Sequence, residues 1–217
     1  HEVVLLKFLI PIFFIVFSFG ELLKIQLPQS VGFGLIDFFV LGIFLIWLFF
    51  IKKTKYSLFR PIAVFSFICI LSLLLNFKNF ETQQLGVASL YLIRFILYAS
   101  LYFVFVDIGK KYESRVRKYI AISGLIIIAI GFLQYFLYPS LKNLFYLGWD
   151  EHMFRLFSSF LDPNFAGALL VLIFTYFFVF RENLFGNRKV ISYGILVLTF
   201  IAIVLTYSRG ALLMFGI

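Results

Sequence analysis

Residues 119–138 read Tyr-Ile-Ala-Ile-Ser-Gly-Leu-Ile-Ile-Ile-Ala-Ile-Gly-Phe-Leu-Gln-Tyr-Phe-Leu-Tyr, a run without a single charge. A helix needs about 20 mostly apolar residues to cross the roughly 30 Å hydrocarbon core of a bilayer, and this run supplies them. Comparable runs fall at about Val3–Phe19, Gly32–Ile51, Ile62–Phe77, Ser89–Val106, Phe165–Phe180 and Val190–Tyr207, and another begins at Gly210. The 217 residues are 63% hydrophobic and 13% charged, with a mean hydropathy of +1.06, which is too apolar for a domain bathed in water. No short segments alternate polar and apolar residues as the strands of a membrane barrel do. The expected fold is all-α, a polytopic transmembrane helix bundle forming a single domain over residues 1–217, with about seven complete spans and the start of an eighth.

His1 stands first rather than Met, and Leu212–Ile217 stops inside an apolar run too short to span, so the chain is expected to be truncated at its C-terminus. The first run lacks a small-residue cleavage site and reads as a first helix rather than a removed signal peptide. Cys69, the single cysteine, lies within an apolar run and reads as packing. The 33 phenylalanines suit lipid contact and interhelical packing alike.

The net charge of +9 does not point to nucleic acid, because the basic residues sit in short clusters between apolar runs. One set of alternate connections carries Lys52, Lys53, Lys55, Arg60, Lys110, Lys111, Arg115, Arg117, Lys118, Arg181, Arg188 and Lys189, and the other carries Lys24, Lys78, Lys142, Arg155 and Arg209. Twelve against five puts the first set in the cytoplasm by the positive-inside rule, with the N-terminus cytoplasmic and the long connection 139–164 facing outward. Within that connection Ser140–Trp149 reads as a short helix lying in the membrane interface, or as a plain interfacial anchor.

Two motifs follow. In the first, Arg155-Leu-Phe-Ser-Ser-Phe-Leu-Asp-Pro-Asn-Phe-Ala-Gly-Ala, Asp162 can cap a helix whose first position is Pro163, where a missing N–H goes unnoticed. The positive end of that helix and its free N–H groups, beside Arg155 and Asn164, suit a phosphate or diphosphate. A capped helix with Arg155 on lipid headgroups is the plainer reading. In the second, Leu205-Thr-Tyr-Ser-Arg-Gly-Ala-Leu-Leu, one helix from Val190 to Ile217 would be about 42 Å long, so a break near Ser208-Arg209-Gly210 is expected. Ser208 would cap the next helix, Gly210 would allow close backbone approach, and Arg209 would sit near the outer surface or snorkel to headgroups.

Arg94 lies about five residues inside the fourth run, with Asp37 at a similar depth in the second. The two can pair, or Arg94 can join Arg155 and Arg209 around an anion that their planar forks would grip. His152 in the outward connection can be a base but more simply is solvated. No CxxC, HExxH, GxSxG or Walker pattern occurs, so no metal and no cofactor are expected.

The order Arg155, Phe160-Leu-Asp-Pro-Asn-Phe-Ala, span, basic connection, span, Thr206-Tyr-Ser-Arg-Gly-Ala-Leu-Leu resembles the O-antigen ligase and O-antigen polymerase family of bacterial membrane proteins. The resemblance implies a GT-C-like, inverting, metal-independent glycosyltransferase of the inner membrane, working in lipopolysaccharide or other envelope polysaccharide biosynthesis. Its donor would be an undecaprenyl-diphosphate-linked glycan, and its acceptor a hydroxyl on lipid A core, another glycan or a protein, on the periplasmic side. Arg209 would hold the diphosphate, with Arg155 and Arg94 beside it and Ser208, Gly210, Asp162, Pro163 and Asn164 in support. The family's catalytic His lies in a large periplasmic loop downstream of the Ser-Arg-Gly motif, beyond residue 217, and His152 does not inherit that role. A transporter of a small anion such as bicarbonate is the competing class, and an inert scaffold subunit is a third.

Overall fold

The computed structural model describes residues 2–26, 32–50, 55–108 and 110–216, and 81% of these are helical. His1, Lys52, Lys53 and Ile217 lie outside the described residues, as do the side chains of Lys7, Lys110 and Lys111. Eight α-helices are present among the described residues: α1 (Glu2–Ser18), α2 (Leu35–Phe50), α3 (Phe59–Leu75), α4 (Thr82–Ile108), α5 (Lys110–Leu137), α6 (Pro163–Phe185), α7 (Lys189–Leu205) and α8 (Arg209–Gly216). The all-α expectation holds apart from one two-stranded pair, β1 (Lys24–Gln26) and β2 (Gly32–Gly34).

Among the described residues three helices are long and apolar enough to cross a membrane: α4, the Tyr112–Leu137 part of α5, and α6. The helices α1, α2, α3 and α7 are apolar but have 16 or 17 residues each, about 25 Å at 1.5 Å per residue, a turn short of the hydrocarbon thickness. Helix limits also differ from the limits of the apolar runs. The fourth helix starts at Thr82 rather than Ser89, and α5 starts at Lys110 rather than Tyr119. Hydropathy marks only where a helix is apolar, whereas Gln, Glu, Lys and Arg are good helix formers and let it continue past that point.

The chain divides into two compact units, His1–Phe13 with Ile25–Ser114, and Phe14–Lys24 with Arg115–Ile217. In the first, α2 and α3 both pack on α4. Val40, Ile43 and Trp47 of α2 and Val104 of α4 are buried, and the Trp47 ring stacks on Phe103 at 5.8 Å. Trp47 Nε1 and Tyr56 Oη each donate to Asp107 Oδ2 at 2.6 Å, which gives this carboxylate partners inside an aromatic cluster. Helix α3 has no buried residue, and Leu74 and Leu75 are 68% and 71% exposed. A helix this apolar beyond Arg60 is made for lipid or another apolar surface rather than for water.

In the second unit α6 packs along α7 and against α8, around a core that includes Ile127, Leu156, Leu170, Phe177, Ala202 and Ile203. Tyr176 Oη donates to Arg117 O at 2.9 Å, and the Arg117 guanidinium lies 4.4 Å from the Phe180 ring, so the start of α5 lies beside the end of α6. Arg117, Arg181, Arg188 and Lys189 therefore share one end of this unit. The segment 155–164 and the turn between α7 and α8 lie at the other end. This separation matches the alternation of basic and less basic connections along the sequence.

Candidate functional site

Helix α7 stops at Leu205 and α8 opens at Arg209, so the expected break is real and falls at Thr206–Ser208. Thr206 Oγ1 donates to Ile203 O at 2.7 Å and accepts from Ser208 N at 3.2 Å, while Tyr207 takes the left-handed region at φ +50°. Ser208, 2% exposed, caps α8 as expected by accepting the Ala211 N–H on Oγ at 3.3 Å. Gly210 does not provide a close approach. A Cβ there would meet nothing nearer than Ser208 Oγ at 3.9 Å, whereas a Cβ on Gly167 of α6 would stand 2.8 Å from Ala211 Cβ, 3.0 Å from Thr206 Oγ1 and 3.2 Å from Ser208 Cβ. Gly167, which the sequence offered only as part of a motif, is what lets α6 lie directly on the break.

The first motif enters the protein from the loop. The described part of 139–164 contains a six-residue 3₁₀ helix, Lys142–Leu147, in place of the expected interfacial helix over Ser140–Trp149. Phe145 and Tyr146 are 68% and 80% exposed, while Leu141, Phe157 and Leu161 are buried together as a small core of their own. His152 is half-buried, and its backbone N–H donates to Asp150 O. Residues 156–161 are all buried, and a buried irregular segment must find partners for its backbone groups. Leu156 N donates to Leu205 O at 2.8 Å. Gln134 of α5 does most of the rest: its Oε1 accepts from Phe157 N at 2.8 Å and Ser158 N at 3.1 Å, and its Nε2 donates to Tyr138 O at 3.1 Å and Arg155 O at 3.2 Å. Ser158 Oγ donates to Ile127 O and Ser159 Oγ to Ser18 O. Sequence reasoning missed Gln134; its signal was a lone amide inside a run that is otherwise free of such groups.

Phe154, Ser158 and Leu161 also have positive φ, and with Tyr207 they are the four non-glycine residues in that region among the described residues. Each such residue costs about 1–3 kcal/mol and persists only where its surroundings over-determine it. All four fall in this segment and the facing turn.

Asp162 caps α6, accepting from Asn164 N at 2.7 Å and Phe165 N at 3.2 Å, with Pro163 in the first turn. These N–H groups are therefore not free for an anion, contrary to the sequence expectation, and the carboxylate already answers the positive end of α6. Cationic character rests instead on two arginines. Arg155 Nε donates to Thr206 O at 2.8 Å and Nη2 reaches Asn164 Oδ1 at 3.4 Å, which joins the two motifs through one side chain. Both acceptors are neutral, so neither bond pairs the guanidinium with an acid. Arg209, exposed at the start of α8, makes no hydrogen bond or ion pair among the described residues.

Arg94 belongs to the other unit. It sits near the middle of α4, because that helix starts earlier than its apolar run. Its Nη2 lies 2.8 Å from Asp37 Oδ2 and donates to Gly32 O at 2.6 Å, while Tyr98 Oη donates to Asp37 Oδ1 at 2.9 Å and Gly34 N to Asp37 Oδ2 at 2.8 Å. The guanidinium also lies 5.5 Å and 5.8 Å from the rings of Phe33 and Tyr91. The pairing of Arg94 with Asp37 is thus present, and the carboxylate neutralises this arginine. No group of three or more potential metal-ligating side chains occurs among the described residues. No protein-family model, curated protein or solved structure matches the chain.

Proposed function

We propose that the chain is a multi-pass inner-membrane glycosyltransferase of the O-antigen ligase or polymerase type, taking a glycan from undecaprenyl diphosphate to a hydroxyl acceptor on the periplasmic side. In this reading about seven apolar helices span the bilayer, the short ones with flanking residues completing the crossing, and the basic connections lie in the cytoplasm. The observation that carries the reading is the bond from Arg155 to the Thr206 carbonyl, which holds the Arg155–Asn164 motif against the turn that leads to Arg209.

Cleaving a glycosyl diphosphate builds negative charge on the leaving oxygen, and prepositioned guanidinium groups stabilise that charge more in the transition state than in the ground state. Arg155 spends two contacts on neutral acceptors and keeps its other N–H groups for phosphate oxygens. Arg209 is free to supply a second fork. Gln134, Ser158 and Gly167 act as positioning residues, and the charge is delivered by arginine without a metal. Arg94, already answered by Asp37, supports its own unit rather than the diphosphate. The acceptor hydroxyl, whether on lipid A core, glycan or protein, attacks the anomeric carbon from the face opposite the diphosphate as a base takes its proton, and undecaprenyl diphosphate leaves with the electrons of the broken C–O bond.

The test is glycan transfer from a purified undecaprenyl-diphosphate glycan by the full-length protein and by its Arg209→Ala variant. The variant is expected to insert normally and to lose transfer. Normal transfer by Arg209→Ala removes this arginine from the mechanism.

A further inference from the structure

The opposite end of the second unit holds a cavity of about 400 Å³ beside the turn from α6 to α7, lined by Arg181, Glu182, Gly186, Asn187, Lys189, Ser192 and Tyr193. We propose that this cavity binds a phosphate group, either free or as the headgroup of an anionic phospholipid. It lies away from Arg155 and Arg209 and does not depend on the function proposed above.

Ser192 is the observation that singles the cavity out. Helix hydroxyls in this protein normally close on the carbonyl four residues earlier, as Ser66, Ser89, Thr175 and Thr199 do at 2.7–2.9 Å. Ser192 is 5% exposed, yet its Oγ has no hydrogen-bond partner among the described residues. A buried hydroxyl is nearly always paired, so one without a partner among the described residues, in a residue that lines the cavity, is a donor available to an acceptor bound there. Charge gives the class of that acceptor. Arg181 and Lys189 outnumber Glu182, and Arg188 adds a further cation at the position before α7. The Arg181 guanidinium lies 5.3 Å from the Phe178 ring, a contact that steadies it without neutralising it. No side chain caps α7, whose positive end adds to the same field. Gly186, at φ +56°, forms the turn that leaves this space open. The volume exceeds that of a bare phosphate and leaves room for a headgroup, and basic clusters beside apolar helices attract anionic lipid.

The experiment compares the full chain with Arg181→Gln/Lys189→Gln, Ser192→Ala and, as a control for loss of one surface charge, Lys142→Gln, first by titrating inorganic phosphate in detergent. The second arm measures lipid retained after purification from bilayers of phosphatidylglycerol or of phosphatidylcholine. Saturable phosphate binding, lost in the double variant and kept in Lys142→Gln, identifies free phosphate. Retention of phosphatidylglycerol over phosphatidylcholine, lost in the double variant without phosphate binding, identifies a headgroup. Ser192→Ala should weaken whichever ligand binds by about tenfold, the usual worth of a hydrogen bond to a charged group, while raising the unfolding temperature of the empty protein. Neither probe binding, or binding unchanged in the double variant, overturns the proposal. A Ser192→Ala variant that is more stable but binds as before assigns that hydroxyl to packing and overturns its part.

Discussion

Arg94 and Arg155 are both half-buried arginines held among apolar helices, and their surroundings answer them in opposite ways. Around Arg94 a carboxylate arrives at 2.8 Å and is itself fixed by Tyr98 and the Gly34 N–H, so the charge is cancelled where it sits. Around Arg155 the acceptors are a backbone carbonyl and an amide, which orient the guanidinium and leave its charge uncancelled. The difference teaches how to tell a structural arginine from a working one in a greasy protein. An arginine closed by an acid is a strut, and one held by neutral oxygens is a cation kept ready for an anion that comes from outside.

Three substitutions sharpen or break that contrast. Gln134→Leu should have the largest effect on stability, because it strands the buried Phe157 and Ser158 N–H groups at about 1–3 kcal/mol each. With unfolding midpoints moving about 2–4 °C per kcal/mol in a chain of this size, a thermal melt in detergent reads it easily. A melt unchanged within error would mean that the 155–158 segment does not need its amide clamp.

Asp37→Ala comes next, removing the partner of Arg94 along with the acceptor for Tyr98 and Gly34. Loss of one member of such a pair costs about 3 kcal/mol when the other stays buried, and somewhat less here because both side chains are partly exposed. Adding Arg94→Leu should restore part of that loss, and failure of the double variant to recover would show that Asp37 acts without Arg94. The smallest effect is Asp162→Ala, which removes the α6 cap at about 1 kcal/mol. Because Asp162 bonds the N–H groups of Asn164 and Phe165 and neither arginine, its loss should not weaken diphosphate binding. Weaker binding in Asp162→Ala would show that the cap positions the site.

Much of this architecture is legible in the sequence because helices in an apolar chain announce themselves by hydropathy alone. The cap at Asp162, the break before Arg209 and the cap at Ser208 follow from local rules, whereas the pairing of Arg94 with Asp37 is one of two arrangements that the high cost of a lone charge in an apolar setting leaves open. What the sequence does not reveal depends on contacts between residues far apart. Gln134 meets Phe157 and Ser158 only because α5 passes beside the loop, and Gly167 matters only because α8 folds onto α6. The role expected of Gly210 falls to Gly167 for that reason. The short interfacial helix over Ser140–Trp149 becomes a 3₁₀ helix from Lys142 to Leu147 that presents Phe145 and Tyr146 and buries Leu141. Likewise, apolar runs underestimate α4 and α5, since their polar flanks remain helical.

The most direct measurement is the affinity of the purified full chain for undecaprenyl diphosphate in nanodiscs, compared among Arg94→Ala, Arg155→Ala and Arg209→Ala. Each variant loses one positive charge, so a nonspecific field effect would weaken all three alike. The account predicts about a tenfold or greater loss for Arg155→Ala and Arg209→Ala, the worth of a charge-assisted hydrogen bond, and little change for Arg94→Ala. Equal losses in all three, or a loss confined to Arg94→Ala, would contradict it.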